Sequence, residues 1–483
     1  MKFTIRNLFL TFLFCGIFYL SLRPIIDPDF WWHLRTGQLI EQTRLIPKAD
    51  PFSFTAAAKQ WITHEWLTEF FIFKTFKLGG FGLLILIFSA VITASFIFSF
   101  LRCPNETRPY IAGFAVLLGA ITSVPIWGVR PQMLTLLFTS LFLYLLDLYR
   151  RTGNFRTLIP IPLISLIWVN LHAGYIIGIA IVIIYIFGYL FEIAIKKYHK
   201  KEKIDKAAQK SLWILVYVLI TSIIVILLNP AGYRILTYPF QTLTDSAMQA
   251  YIQEWYAPDF HQVIWQPFAL MILALIGAGM IGNRPISITN IFLSLVFGYG
   301  ALRSVRNIPL FAIVVIPVLA EQFGYLIKFK PDVQKQSRHF RYVAPIALSA
   351  IAIILVLGFI QATNNQQRSE EEYFPYNAVN WMLENKPKGN LFNSYNWGGY
   401  IIWKLYPAYP VYIDGRADLY GKEFFSNYIN ISLSKPGWEE KLNEADIRTV
   451  LVESDSMLAN ALRQSPTWEE KFEDNNSVIF IKK

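Results

Sequence analysis

Two strings near the N-terminus carry residue types that could do chemistry. Asp27-Pro28-Asp29-Phe30-Trp31-Trp32-His33-Leu34 brings two carboxylates and an imidazole close together. Trp61-Ile62-Thr63-His64-Glu65-Trp66-Leu67-Thr68-Glu69 adds His64 and Glu65. A positioned carboxylate can take the proton of an attacking hydroxyl, and an imidazole can relay or orient it. The second string lacks the H-E-x-x-H spacing of the zinc peptidases, so that reading fails. Asp29, His33, His64 and Glu65 remain a base constellation, and the same donors could hold a divalent metal. No cofactor is fixed by the sequence, and a divalent metal stays open.

Further polar corners interrupt long apolar runs. They are Arg130-Pro131-Gln132, Asn170-Leu171-His172 with Ala173-Gly174, Asn229-Pro230-Ala231-Gly232, and Arg303-Ser304-Val305-Arg306-Asn307. Arg130, Arg303 and Arg306 suit a phosphate, because guanidinium pairs bidentately with phosphate oxygens. Each feature also has a plain structural reading. Asp27 and Asp29 can cap a helix, and the arginines can snorkel to lipid headgroups.

The elements that must position these residues are membrane spans. The chain has 483 residues, 54% of them hydrophobic and only 16% charged, with mean hydropathy +0.39. That composition excludes a soluble enzyme, a disordered chain and a fibre, and it predicts a polytopic α-helical membrane protein. Apolar runs near 7–22, 80–100, 110–127, 131–148, 157–171, 174–195, 211–229, 266–282, 286–302, 308–327 and 342–361 predict about eleven transmembrane helices. The first run lacks a small-residue cleavage site and reads as a retained span. Cys15 and Cys103 are the only cysteines, which excludes a disulfide framework.

The net charge of +11 reflects topology and not nucleic acid. Lys2 and Arg6, Arg102 and Arg108, the arginines from Arg150 to Arg156, the lysines from Lys196 to Lys210, Arg284, and the basic residues from Lys328 to Arg341 all fall on one side. The short loops of the other side carry only Arg130, Arg234, Arg303 and Arg306. The positive-inside rule then puts the N-terminus in the cytoplasm and the C-terminus outside. Residues 1–361 form the transmembrane domain. Its first outer loop, 23–79, should hold two interfacial helices. Asp27 is the expected N-cap of the first, with Pro28 at its first position and Asp29 in its first turn. Thr63 is the expected cap of the second, with His64 and Glu65 in its first turn. Trp31 and Trp32 suit the interfacial belt.

Residues 362–483 turn polar and form a small extracytoplasmic α/β domain. NLFNS, PVYID, RTVLVE and SVIFI read as strands; the stretches around Ala378–Leu383, Gly398–Leu405, Glu439–Glu444 and Met457–Leu462 read as helices. Asp414, Arg416 and Asp418 follow one strand-like string. There, beyond a carboxyl end, they would close the outer site.

With these motifs in place the sequence resembles a family. Asp27 to His33, His64-Glu65-Trp66-Leu67, the Arg130 and Asn170–His172 corners, Trp397-Gly398-Gly399-Tyr400 and Asp414-Gly415-Arg416-Ala417-Asp418 are similar to bacterial members of the GT-C glycosyltransferase superfamily. That superfamily includes protein mannosyltransferases, aminoarabinose transferases and oligosaccharyltransferases. The resemblance implies a GT-C-like fold, an acidic motif at the start of the first outer loop matched by Asp29, and a second acid matched in place by Glu65.

It also implies an activity: transfer of a sugar from a polyprenyl-phosphate-linked donor to an acceptor on the outer face of the cytoplasmic membrane. On that reading Asp29, Glu65 and His64 are catalytic. Arg303, Arg306 and Arg130 bind the donor phosphate, and Asp27, His33, Asn170, His172, Asp414, Arg416 and Asp418 line the site. Membrane lipid and the lipid-linked donor are the partners, and the acceptor is open. Two other classes fit the same layout: a flippase of a lipid-linked glycan, and a non-catalytic membrane assembly protein. A flippase should place its charges at mid-span, whereas here the unusual residues gather at one face.

Overall fold

A chain this apolar can satisfy its backbone inside lipid by forming helices, and helices dominate the fold. The structure, a computed structural model, describes residues 4–57, 59–104, 109–198, 206–244, 246–282, 284–327 and 340–483. Lys2, Arg108, the lysine-rich run 199–205 and the basic stretch 328–339, all used to orient the chain, lie outside the described residues.

The first seven helices are α1 (Ile5–Ser21), α2 (Phe30–Thr43), α3 (Trp66–Arg102), α4 (Pro109–Ser123), α5 (Gln132–Thr152), α6 (Pro160–Leu171) and α7 (Tyr175–Tyr198). They are followed by α8 (Lys206–Ile226), α9 (Arg234–Thr244), α10 (Ser246–Tyr251), α11 (Gln266–Ile281), α12 (Ile288–Arg303), α13 (Ile308–Leu326) and α14 (Phe340–Tyr373). Eight of them (α3, α4, α5, α7, α8, α11, α13 and α14) are long and apolar enough to cross a membrane. Three shorter apolar helices, α1, α6 and α12, fall on the other segments read as spans. The chain is a multi-pass membrane protein. Its central post is α13, buried at every position from Ile308 to Ala320.

The first outer loop departs from the sequence reading in detail. Asp27 does not cap α2. Its Oδ1 accepts the Asp29 amide at 2.9 Å, an Asx turn that delays the helix to Phe30 and leaves Asp29 at the N-cap position. Thr63 caps nothing; its hydroxyl donates to Pro47 O at 2.6 Å, so His64 and Glu65 precede the helical turn that begins at Trp66. From Trp66 the chain runs through a kink at Gly79-Gly80, where Gly80 has φ +60°, and continues as a span. That left-handed φ suits glycine. The kink separates an outer helical segment from the span proper, the two pieces read from the sequence. Trp31 and Trp32 are buried, not interfacial. Trp31 packs edge-on against Tyr400 and Phe374 of the tail. Contact with protein replaces the lipid headgroups as the partner of these rings.

α14 runs unbroken to Tyr373, and its C-terminal end ties two parts together. Gln366 exchanges hydrogen bonds with the Ile25 backbone, and Glu370 accepts from Tyr400 Oη and pairs with Lys404 at 3.3 Å. The tail then adds α15 (Tyr376–Asn385), β1 (Asn390–Asn393), α16 (Gly398–Leu405), α17 (Ala417–Tyr420), α18 (Lys422–Ser432), α19 (Trp438–Glu444), β2 (Ile447–Glu453), α20 (Met457–Gln464), β3 (Trp468–Glu473) and β4 (Ser477–Lys482). The strand order is β1-β2-β4-β3. β1 and β2 are parallel, and the other pairs are antiparallel.

PVYID is extended but is no strand of this sheet. Val411 pairs with the first outer loop instead: its amide donates to Phe52 O at 3.0 Å, and Phe54 N donates to Val411 O at 3.2 Å. The tail is thereby stitched to the loop that carries Asp29.

Candidate active site

Asp27 and Asp29 sit at the start of α2, where the loop meets the ends of the spans on the side of the tail. Arg130, in the turn before α5, is clamped between two carboxylates. Its Nε lies 2.8 Å from Asp27 Oδ2 and its Nη1 lies 2.6 Å from Glu254 Oε1. Burial works against the Arg130 charge, but Asp27 and Glu254 more than offset it and hold the guanidinium protonated. Among the described residues Asp29 has no such ion pair. Burial and then the neighbouring Asp27 charge push its carboxyl up to about 7, opposed by the Trp32 indole, which donates to Oδ1 at 3.1 Å. Asp29 therefore changes charge near neutrality, where a general base is most useful.

Beside it lies a second cluster, built around Glu65. His33 Nε2 is 3.4 Å from Glu65 Oε2; His64 Nε2 and His172 Nε2 are 3.2 and 3.4 Å from Oε1. Burial would raise the Glu65 proton affinity, but the charge of His64 and the two other imidazoles outweigh it, and the carboxyl stays far below the usual range. Burial opposes charge on His64 as well, yet Glu65 wins and raises its pKa. Burial dominates at His33 and His172, lowered to about 4 and about 3, so both are neutral at pH 7.

The hydrogen bonds around His172 fix its tautomer. The Gly174 amide and the Thr135 hydroxyl both lie on Nδ1, at 2.9 and 2.7 Å, which leaves the proton on Nε2, facing Glu65. His33 bridges Glu65 to Glu69, whose Oε1 is 3.4 Å from Nδ1. Asn170 braces this corner, accepting from Trp66 Nε1 at 2.9 Å and from Asn229 Nδ2 at 3.2 Å.

The tail forms the roof. Arg416 Nη1 pairs with Asp50 of the loop at 2.7 Å, while Nε and Nη2 grip Asp414 at 2.8 and 2.6 Å. Asp418 Oδ2 accepts from Tyr238 Oη of α9 at 3.0 Å, and the Tyr238 ring packs on His64 with centroids 4.4 Å apart. All three tail residues named by the sequence reading therefore face the loop, α9 or each other. A cavity of about 160 Å³ opens here, lined by Gln60, Trp61, Ile62, Tyr238, Gln241, Asp418 and Leu419.

No family profile matches the sequence, and no curated protein matches it. Solved structures do resemble the fold. The apo oligosaccharyltransferase of Archaeoglobus fulgidus aligns with TM-score 0.57 and 12% identity, over 92% of this chain and 69% of that one. The same organism's oligosaccharyltransferase AglB, in complex with an inhibitory peptide and a dolichol-phosphate, gives 0.56 and 10%, with the same coverage. ArnT from Cupriavidus metallidurans, bound to undecaprenyl phosphate, gives 0.50 and 11%, over 98% of this chain and 97% of that one.

The chain has the GT-C fold. Within this fold the two arginines of the 303–307 corner part company. Arg303 is exposed and donates to Gln249 Oε1 at 3.3 Å. Arg306 turns inward, 4.9 Å from the Trp255 ring centroid and within electrostatic reach of Glu254, Arg130, Glu65 and Asp29. Among the described residues no ion pair saturates it, in contrast to Arg130. No group of three or more His, Cys, Asp or Glu is arranged to hold a metal ion among the described residues; the Glu65 oxygens face imidazole nitrogens instead.

Sequence reasoning missed Glu254, Glu69 and Tyr395. Glu254 carried a signal: outer arginines need counter-charges, and it is an acid in the loop preceding α11. Tyr395 follows β1; its hydroxyl donates to Gly415 O at 3.3 Å, and Asp29 is among the charges that act on it. Nothing local in the sequence marks Tyr395 or Glu69.

Proposed function

We propose that this protein is a membrane glycosyltransferase that moves a sugar from a polyprenyl-phosphate-linked donor to a hydroxyl acceptor on the outer face of the cytoplasmic membrane. One observation carries the reading: a carboxylate that titrates near neutrality, Asp29, shares a half-buried site with an unsaturated guanidinium, Arg306. Sugar transfer needs both. The acceptor oxygen attacks the anomeric carbon and gives its proton to Asp29, and the bond from that carbon to the phosphate oxygen breaks. The lipid phosphate leaves with an extra negative charge, which Arg306 stabilises where it develops.

Arg130 is already paired, and we assign it to hold Asp27 and Glu254 in place beside the phosphate. Glu65 and its histidines orient the acceptor side, next to the cavity at Trp61 and Tyr238. The dolichol-phosphate in the AglB complex and the undecaprenyl phosphate in the ArnT complex support a lipid-phosphate donor.

The test is transfer from radiolabelled undecaprenyl-phosphate-linked sugars by the purified protein. Asp29→Asn keeps the shape and removes the basicity, and the rate should fall by about 10²–10⁴-fold. Full activity of a folded Asp29→Asn variant rejects the assignment.

A further inference from the structure

Gly415 touches Asp29. A Cβ added at Gly415 would overlap Asp29 Oδ1, and it would sit 2.8 Å from Asp29 Cγ and 3.3 Å from Trp32 Nε1. Backbone conformation does not demand glycine here, since Gly415 is absent from the positive-φ glycines. Space does: only a residue without Cβ lets the carboxylate lie against this peptide. One neighbour repeats the pattern: a Cβ on Gly399 would strike Pro28 O, while one on Gly398 would strike Ile413 O within the tail itself. The tail thus meets the start of α2 through bare backbone.

The turn that carries Gly415 is held rigidly. Its carbonyl accepts from Ala417 N at 2.9 Å and from Tyr395 Oη at 3.3 Å. Behind it, Arg416 is fully buried between the rings of Phe52 and Trp61, 5.1 and 4.7 Å from their centroids. Its guanidinium holds Asp414 by two bonds and Asp50 by a third. Asp50 is itself fixed by the Phe52 and Ser53 amides. Tyr420 Oη closes the network on Asp414 at 2.7 Å. A surface turn needs no such anchoring. An anchored turn that presses a backbone onto one carboxylate positions that carboxylate.

We infer that Gly415 and the Arg416 clamp behind it are positioning residues that hold the Asp29 carboxylate in its reactive orientation. The inference rests on the reading of Asp29 as the base. The other groups that face Asp29 are Asp27 from its own loop, Arg130 from the turn before α5, Glu254 and Arg306 from the outer ends near α11 and α13, and Tyr395 from the tail. None of them limits the space open to the carboxylate as Gly415 does.

The experiment uses the full chain in detergent, with undecaprenyl-phosphate-linked hexose as donor and steady-state rates at varied donor concentration. Gly415→Ala should lower kcat by about 10²-fold, the scale of a misplacement of about 1 Å, while KM for the donor and the melting temperature stay near those of the parent. In an Asp29→Asn background the same substitution should add almost nothing, because the group it displaces no longer acts. An unchanged kcat for Gly415→Ala overturns the inference, as does an equal loss in both backgrounds. Either result leaves the base reading intact, whereas a fully active Asp29→Asn variant overturns the base reading itself. If Gly415→Ala does not fold, Arg416→Lys takes its place: it keeps the charge and loses the three-bond fork, and it should show the same kcat loss and the same non-additivity.

Discussion

Trp32 Nε1 donates to Asp29 Oδ1 at 3.1 Å, from one turn further along the same helix. The indole therefore favours the ionised carboxylate, while burial and Asp27 favour the neutral form and leave Asp29 near 7. A base must be ionised to act, so kcat/KM should rise with pH through about 7 and level off above it. Trp32→Phe removes the indole donor that lowers the Asp29 pKa through a hydrogen bond. The rising limb should then move to higher pH. A pH profile of kcat/KM for parent and variant decides this, and a limb that stays in place or moves to lower pH refutes it.

Arg306 and Arg303 lie on the same corner but face different surroundings. Arg306 points to the acidic site, and Arg303 lies at the surface with one weak bond to Gln249. Arg306→Ala should weaken binding of undecaprenyl phosphate by about ten-fold or more, the scale of one hydrogen bond to a charged group. Arg303→Ala should have the smaller effect. Titration of both variants by tryptophan fluorescence checks the order, and the reverse order moves the phosphate site to Arg303.

The legible parts of this protein were those whose cause is local. Spans announce themselves by composition, and α16 and α20 by apolar periodicity. Asp29 and Glu65 stood out because charge is scarce in so apolar a chain. The parts set by distant partners were not legible. PVYID alternates as a strand does, yet its backbone pairs with Phe52 and Phe54, more than three hundred residues away in sequence. β3 was missed because its outward residues, Glu469 and Lys471 among them, are charged, as an exposed edge strand requires. Asp27 reads as an N-cap until the Asx turn to Asp29 is seen. Glu69 gains its meaning only from His33, and Tyr395 only from Gly415.

The Glu65–His64 pair makes its own prediction. His64 has a raised folded pKa, so its contribution to stability is complete below its unfolded value of about 6.5 and fades as pH climbs through the folded one. Glu65 has a depressed folded pKa, so its contribution is present above about 4.5 and is lost on acidification through the folded value. The two overlap fully between about pH 4.5 and 6.5. Glu65→Gln should therefore lower the melting temperature most in that window and least at alkaline pH. Thermal unfolding of parent and variant across pH checks it. A deficit of the same size at every pH shows that lost packing, not lost charge, is responsible.

The docking of the tail on the first loop also constrains topology. Val411 pairs with Phe52 and Phe54, and Arg416 with Asp50, so residues 23–79 and the tail must lie on the same side of the membrane. The positive-inside rule, applied to the basic clusters of the opposite loops, predicts that this side is outside. Leu45 and Glu440 are both exposed and lie on the loop and the tail respectively. In a chain whose Cys15 and Cys103 have been replaced, Leu45→Cys and Glu440→Cys should each react with a membrane-impermeant maleimide added to intact spheroplasts. Cysteines placed at 200 and 335 should react only after lysis. Labelling of position 440 from the cytoplasm alone inverts the orientation. Labelling of positions 45 and 440 from opposite sides is worse for the proposed site, because it separates Asp29 from the Gly415 turn that lies against it.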